Sequence, residues 1–160
     1  MLHNRGEVSE KTKKRILEII SELDYKPNIF ASNLASKKSA VFATLLPKPP
    51  SKEGYWNKPL IGIRKRMAEL KQFGIQINSF TFSQADRTEF SKEAEKIIEL
   101  KPDGVVLAPF FKKESLDFIE KLKKHNIPFV FIDSEIKNAG QISYIGQDSY
   151  QSGLVSGKLL

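Results

Sequence analysis

Apolar residues along this 160-residue chain fall into two textures. In residues 10–23, Ile16, Ile19, Ile20 and Leu23 recur at helical spacing, with Ser9 placed as N-cap and a basic face opposite. Asp24 and Tyr25 close that helix. Pro27 forbids its continuation, because the residue before a proline is pushed out of the α region. A helix with one apolar stripe needs a partner to bury it. A shorter amphipathic stretch follows, started by Asn28 or Pro27, with Phe30, Ala31 and Leu34 on one face. Isolated helices under about 12 residues are marginal in water, so this one is expected to order only against something that packs on it. That is the behaviour of a coupling element.

Beyond Lys37-Lys38-Ser39 the pattern becomes an alternation of short apolar runs and amphipathic stretches. Strands are predicted at 41–46, 75–82, 104–108 and 129–132, with a short fifth at 142–145. Between them, Leu60, Ile63, Met67 and Leu70 form a helical stripe with Pro59 in its first turn and Gly74 at its end. Phe90, Ala94, Ile97, Ile98 and Leu100 mark a second helix stopped by Pro102, and Leu116, Ile119 and Leu122 a third. Ser149 is expected to cap a last helix carrying Leu154, Val155, Leu159 and Leu160. Continuous apolar strands separated by amphipathic helices predict an α/β fold, a doubly wound parallel sheet covered on both faces. The predicted organisation is a helical unit at 1–26, a short amphipathic helix and linker at 27–39, and the α/β unit at 40–160.

Composition narrows the function classes. The net charge is +7 with a pI near 9.5; residues 1–40 carry +3 and the remaining 120 carry +4. The first quarter thus carries more than twice the net positive charge per residue, a bias towards nucleic acid. No cysteine is present, which removes disulfide, thiolate and cysteine-metal chemistry. The polar start Met1-Leu2-His3-Asn4-Arg5-Gly6-Glu7 is no signal peptide, and no apolar run approaches the roughly 18 residues of a membrane span, so the expected location is cytoplasmic, with no membrane partner. His3 and His125 are isolated, no nucleophile–base set appears, carboxylates and histidines never meet at metal spacing, and neither a glycine-rich phosphate loop nor Gly-x-Ser-x-Gly occurs. The expectation is a protein without catalytic residues, metal or cofactor.

Three segments carry a resemblance. They are the run from Asn4 to Leu17 with Val8-Ser9 and Thr12, then Leu23-Asp24-Tyr25-Lys26-Pro27-Asn28, then Ala31 and Leu34. Together they fix many positions over a set length without a gap, and they resemble the LacI/GalR family of bacterial transcriptional repressors. Phe131-Ile132-Asp133 and the stretch Ile145-Gly146-Gln147-Asp148-Ser149-Tyr150-Gln151-Ser152-Gly153 resemble the family's strand and crossover helix more loosely. The resemblance implies that residues 9–23 correspond to the third helix of the DNA-binding headpiece. It also implies that 28–35 are the hinge helix, which enters the operator minor groove as a dimer pair. Leu34 matches the leucine wedged between base pairs, and Ala31 the small residue at the hinge contact. An apolar wedge unstacks a base step at a cost of a few kcal/mol that wider contact offsets. Asn28 would cap the hinge helix and reach a phosphate or base edge. From Val41 onward the implied fold is of periplasmic-binding-protein type, with ligand held between two subdomains.

Met1-Leu2-His3-Asn4 corresponds only to the end of the family's recognition element, and the second subdomain has no counterpart, so the chain is expected to be a fragment truncated at both ends. The implied function is a ligand-responsive repressor, a homodimer on operator DNA with a sugar or sugar-like effector. The alternative is a periplasmic-type sugar-binding module that does not bind DNA.

Ligands of open α/β sheets bind outside the carboxyl ends of the strands. The candidates there are Tyr55 and Trp56 after the first strand, Phe110 after the third, and Asp148 after the fifth. The Tyr55-Trp56 pair has two readings, a face for stacking on a sugar ring or an anchor that pins its loop to the following helix. Asp148 matches the family position that accepts a ligand hydroxyl, with an N-cap as its other reading. Asp133 has two readings, binding ligand or tying down its own loop, of which the second is preferred, and Phe80 and Phe82 are read as packing residues.

Overall fold

The computed structural model describes residues 9–22 and 39–159. The chain divides into two units, Met1–Lys37 and Lys38–Leu160. In the first, helix α1 (Glu10–Glu22) starts where the Ser9 hydroxyl accepts the Thr12 N–H at 3.3 Å, the cap that its sequence predicts. The predicted hinge stretch, with Asn28, Ala31 and Leu34, lies outside the described residues.

The second unit runs β1 (Ala40–Pro47), α2 (Asn57–Lys71), β2 (Ile75–Phe82), α3 (Arg87–Leu100), β3 (Gly104–Leu107), α4 (Lys112–Lys124), β4 (Phe129–Ile132), β5 (Tyr144–Ile145) and α5 (Ser149–Leu159). The five strands form one parallel sheet in the order β2-β1-β3-β4-β5. Crossovers between parallel strands are right-handed, so a connection that steps from β1 to β2 and one that steps back past β1 to β3 must use opposite faces. The packing shows that division. Ala43 and Leu45 of β1 join Phe90, Ala94 and Ile97 of α3 and Phe118, Ile119 and Leu122 of α4 in the larger core. Leu46 points the other way and meets Trp56, Leu60 of α2 and Ala108, with Ile63 and Ile132 against them. Adjacent residues of one strand thus serve two cores, as the period of two requires.

Local chemistry sets the ends. Asp86 caps α3 by accepting from the Thr88 and Glu89 N–H groups at 2.8 and 3.0 Å. At its other end Lys101 adopts φ +50°, in the left-handed region, immediately before Pro102. Gly74 takes φ +73° and returns its N–H to the Lys71 carbonyl at 3.1 Å, which turns the chain into β2.

Four sequence expectations shift. Helix α2 begins at Asn57, placing Pro59 third in its first turn, where its missing N–H still costs no helical bond. Ile119 and Leu122 are buried as predicted, whereas Leu116 stands 38% exposed and Ser115 and Phe118 complete the buried face of α4 in its place. The fifth strand is only two residues long, with Ile142 72% exposed. Ser149 is the first residue of α5 rather than its cap; Asp148 caps it, its carboxylate accepting the Gln151 N–H at 2.9 Å.

Phe90, fully buried between α3 and the sheet, is expected to cost about 3–5 kcal/mol when cut to alanine. Ile61→Ala, at a position 59% exposed on α2, should stay within about 0.5 kcal/mol. Urea unfolding of both variants checks the assignment of inner and outer helix faces.

Candidate functional site

The strand order reverses direction between β1 and β3, and at such a switch point the following loops diverge to opposite faces and leave a crevice at the carboxyl edge. Two segments border it, Lys48 to Trp56 after β1 and Ala108 to Phe111 after β3. Asp133 follows β4 one strand further along, and Asp148 follows β5.

The first segment is a compact loop. Asn57 Nδ2 donates to the Ser51 carbonyl at 2.6 Å, and the Gly54 N–H to the same carbonyl at 3.1 Å. A Cβ on Gly54 would lie 2.9 Å from Pro50 Cδ, so the turn closes only around glycine. Tyr55 and Trp56 have opposite fates. Trp56 is 5% exposed, packed with Leu46, Leu60 and Ala108, whereas Tyr55 is 62% exposed and meets the indole edge-on, centroids 5.2 Å apart. The stacking reading of Trp56 is therefore corrected: its ring anchors the loop and offers no face to a ligand, because one side of the sheet needs a large apolar group there. The Tyr55 pKa is raised, first by a hydrogen bond to the Asp133 carboxylate, then by burial and by the charges of Asp133 and Tyr144.

Phe110 is 45% exposed, its ring 5.1 Å from Phe111 and 6.2 Å from Phe82. Phe82, Phe90 and Phe111 form the buried aromatic floor beneath it, Phe82 and Phe90 in an edge contact at 4.8 Å. Arg87 lies over Phe111 at 5.5 Å and faces Glu114 at 3.5 Å. Phe80 and Phe82 are packing residues, as read from the sequence.

The edge also holds a charged group that sequence reasoning missed. Lys48 pairs with Glu89, whose other carboxylate oxygen accepts the Ser83 N–H at 2.7 Å. Lys48 follows β1, Ser83 follows β2 and Glu89 lies in the first turn of α3, so three separate segments meet in one ion pair. Its only trace in the sequence is that Lys48 and Ser83 lie just past the ends of predicted strands.

Asp133 is held in the left-handed region, φ +72°, with its N–H on the Ile145 carbonyl at 2.9 Å. The Tyr144 hydroxyl donates to the Asp133 carbonyl at 2.8 Å and to that of Gln147 at 3.3 Å. This agrees with a residue that ties down its loop. Asp148 is exposed and engaged as the α5 cap. Tyr55, Phe110 and Asp133 thus gather around the crevice, and Asp148 sits beyond β5 at the sheet edge.

Among the described residues no group of three or more His, Asp or Glu side chains could hold a metal, and no helix is long and apolar enough to cross a membrane.

An open parallel sheet whose strand order reverses between β1 and β3 defines a doubly wound α/β domain. The chain belongs to the periplasmic binding protein domain family, whose model matches residues 42–160, and its residues 1–28 match the family described as bacterial regulatory proteins, lacI family. The sucrose operon repressor of Staphylococcus xylosus is 26% identical over 161 residues, covering 98% of this chain and 46% of that protein. The transcriptional regulator DegA of Bacillus subtilis is 24% identical over 136 residues, 84% of this chain and 39% of that protein. A solved structure assigned as a LacI transcriptional regulator from Bacteroides fragilis superposes with a TM-score of 0.70 at 34% identity, over 77% of this chain and 42% of that one. The chain therefore spans less than half the length of these relatives.

The Glu89 pKa is lowered, first by its bond to Lys48, then by the Ser83 N–H and the charges of Lys48 and Lys96, against a smaller opposing effect of burial. A carboxylate with a depressed folded pKa contributes stability above its unfolded value and loses it as pH falls through the folded one. Glu89→Gln should therefore flatten the acid limb of the thermal stability profile below the ordinary glutamate range and leave the neutral-to-alkaline slope unchanged.

Proposed function

We propose that this chain forms part of a ligand-responsive DNA-binding repressor that senses a sugar or sugar-like metabolite. The observation that carries the reading is the union on one chain of a LacI-family match at 1–28 and a periplasmic-binding domain at 42–160. A sensor whose N-terminal segment is a DNA-binding headpiece has a use for effector binding that a transport module lacks. The sheet resembles that of a glucose-galactose binding protein from Geobacillus stearothermophilus at 25% identity and a TM-score of 0.62, so a sugar-binding module without DNA work is the second reading. The headpiece match favours the first.

In this reading Asn28, Ala31 and Leu34 contact operator DNA as a dimer pair, in the cytoplasm, and the sensor does no catalysis. Tyr55, Phe110 and Asp148 face the effector. Phe110 offers an exposed ring on a rigid aromatic floor, suited to the apolar face of a pyranose or furanose. Carboxylates at the rim accept hydroxyls. Effector binding would shift the arrangement of the sensor, and linkage requires that operator affinity change by the same factor in return.

Titration of the chain with a panel of neutral monosaccharides, disaccharides and hexuronates, read by calorimetry, should give saturable binding for at least one. Phe110→Ala should weaken that binding about five- to tenfold, the worth of one aromatic stacking contact. Saturation by nucleosides or amino acids but by no carbohydrate would overturn the effector class. In a mobility-shift assay the 160-residue chain should bind DNA weakly and without sequence preference, with affinity falling steeply as salt rises. A salt-resistant, sequence-selective shift would contradict that.

A further inference from the structure

We propose that the amino edge of the sheet is a phosphate-binding surface, through which the α/β unit itself holds duplex DNA. Each crossover helix of a parallel sheet runs back against the strands, so the last turns of α2, α3 and α4 all lie at this edge. Charge is divided along that axis. The second half of α2 carries Arg64, Lys65, Arg66 and Lys71 against Glu69 alone, and the last turn of α4 carries Lys121, Lys123 and Lys124. At the carboxyl edge the charges balance instead, Lys48 with Glu89, Arg87 with Glu114, and Lys52 beside Glu53. Within the basic set Arg66 pairs with Glu69 and Lys121 with Glu95. Arg64, Lys65, Lys71, Lys101, Lys123 and Lys124 are exposed and have no carboxylate partner among the described residues. Helix dipoles do not explain the pattern: their effect ends within the last turn, α3 has no basic residue there, and Arg64 to Arg66 lie well inside α2.

The chain enters the sheet between two of these basic turns. The Ala40 N–H donates to the Gly74 carbonyl at 3.0 Å, in the turn after Lys71, and the Val41 N–H donates to the Asp103 carboxylate at 2.7 Å, in the turn after Lys101. Lys101 in turn shares a cleft of about 360 Å³ with Asp103 and with His125 and Asn126 of the turn before β4. Following the strand order, the amino edge thus presents Lys71 before β2, the chain entry at β1, Lys101 before β3, and Lys123 and Lys124 before β4. The lacI-family match ends at residue 28, and residues 29–39 lead from it into β1, so DNA held by that segment is tethered to this edge. The carboxyl edge lies at the far end of the eight residues of β1, about 25 Å away. A duplex carries a phosphate charge about every 1.7 Å of its axis, which suits cations set out in a row rather than converging on one point. The proposal rests on the DNA-binding reading of the chain and adds to it a contact surface within the α/β unit.

Fluorescence anisotropy of a labelled duplex of arbitrary sequence, titrated with the full 160-residue chain over a series of salt concentrations, tests this. Each lysine that meets a phosphate adds about 0.9 to the slope of log Kd against log salt. Combining Lys71→Gln, Lys101→Gln, Lys123→Gln and Lys124→Gln should lower that slope by about two to four and weaken binding to all sequences alike. Combining Lys52→Gln, Lys58→Gln, Lys112→Gln and Lys113→Gln at the carboxyl edge makes the same change in net charge and should leave the slope where it was. All of these side chains are exposed, so both variants keep the core, which circular dichroism checks. One slope shared by all three proteins, or an equal loss in both variants, overturns the surface and leaves the DNA reading standing. Absence of duplex binding by the unchanged chain at the lowest salt overturns both. Polyglutamate serves as a second probe. If the amino-edge variant loses polyglutamate binding and keeps duplex binding, the edge belongs to an acidic protein and the proposal is overturned.

Discussion

Everything at the carboxyl edge depends on β1 being paired on both sides and covered on both faces. Its register with β2 runs over eight residues and with β3 over four, and burial along it becomes complete from Ala43 to Pro47. A strand buried in this way has one register in which Ala43 and Leu45 fill one core and Leu46 the other, since a one-residue slip would exchange the faces. The carboxyl end of β1 is thereby a fixed point, and the two loops that bracket the crevice start from it or from its immediate neighbour. Right-handed crossovers then send α2 to one face and α3 and α4 to the other, and the crevice is the geometric consequence.

The two faces are unequal. The side of α3 and α4 holds sixteen buried residues and a linked set of phenylalanines, while four buried residues on the α2 side include the lone tryptophan. A large core beneath Phe110 gives it a rigid base, which suits a stacking surface, because an aromatic ring that is already immobilised loses little entropy on binding. The thin core beneath Tyr55 does something different. It uses Trp56 as a peg and leaves Tyr55 beside it exposed. One rigid wall and one adjustable wall is an arrangement in which a ligand can distinguish two states of the protein, and differential contact of that kind is what any population shift requires.

Charge at the edge supports the same division. Lys48, Ser83 and Glu89 bring together the ends of β1 and β2 and the first turn of α3 on the far side of the switch point from Asp133. An exposed ion pair of this sort contributes little to stability by itself. Its effect is to set the direction in which the loop after β1 leaves the sheet, together with the Lys48 N–H on the Phe82 carbonyl at 2.8 Å.

The alternation of apolar runs and amphipathic helices by itself determined the α/β class, four of the strands to within a residue or so and the inward stripes of α2 and α3, because burial on two faces leaves a mark that needs no knowledge of neighbours. The headpiece resemblance was legible for a related reason, since many positions are fixed at constant spacing. Strand order, and with it the place of the crevice, was not legible, because the same run of strands can be laid out in several orders and only packing selects one. The fate of adjacent aromatics was also undecided. Tyr55 and Trp56 are equivalent as a dipeptide, and what separates them is which of the two meets Leu46, Leu60 and Ala108, three residues remote from one another in sequence. Asp148 became a helix cap for the same reason. A carboxylate's role is set by the donors that the fold brings within about 3 Å of it, and local sequence does not record distances between segments.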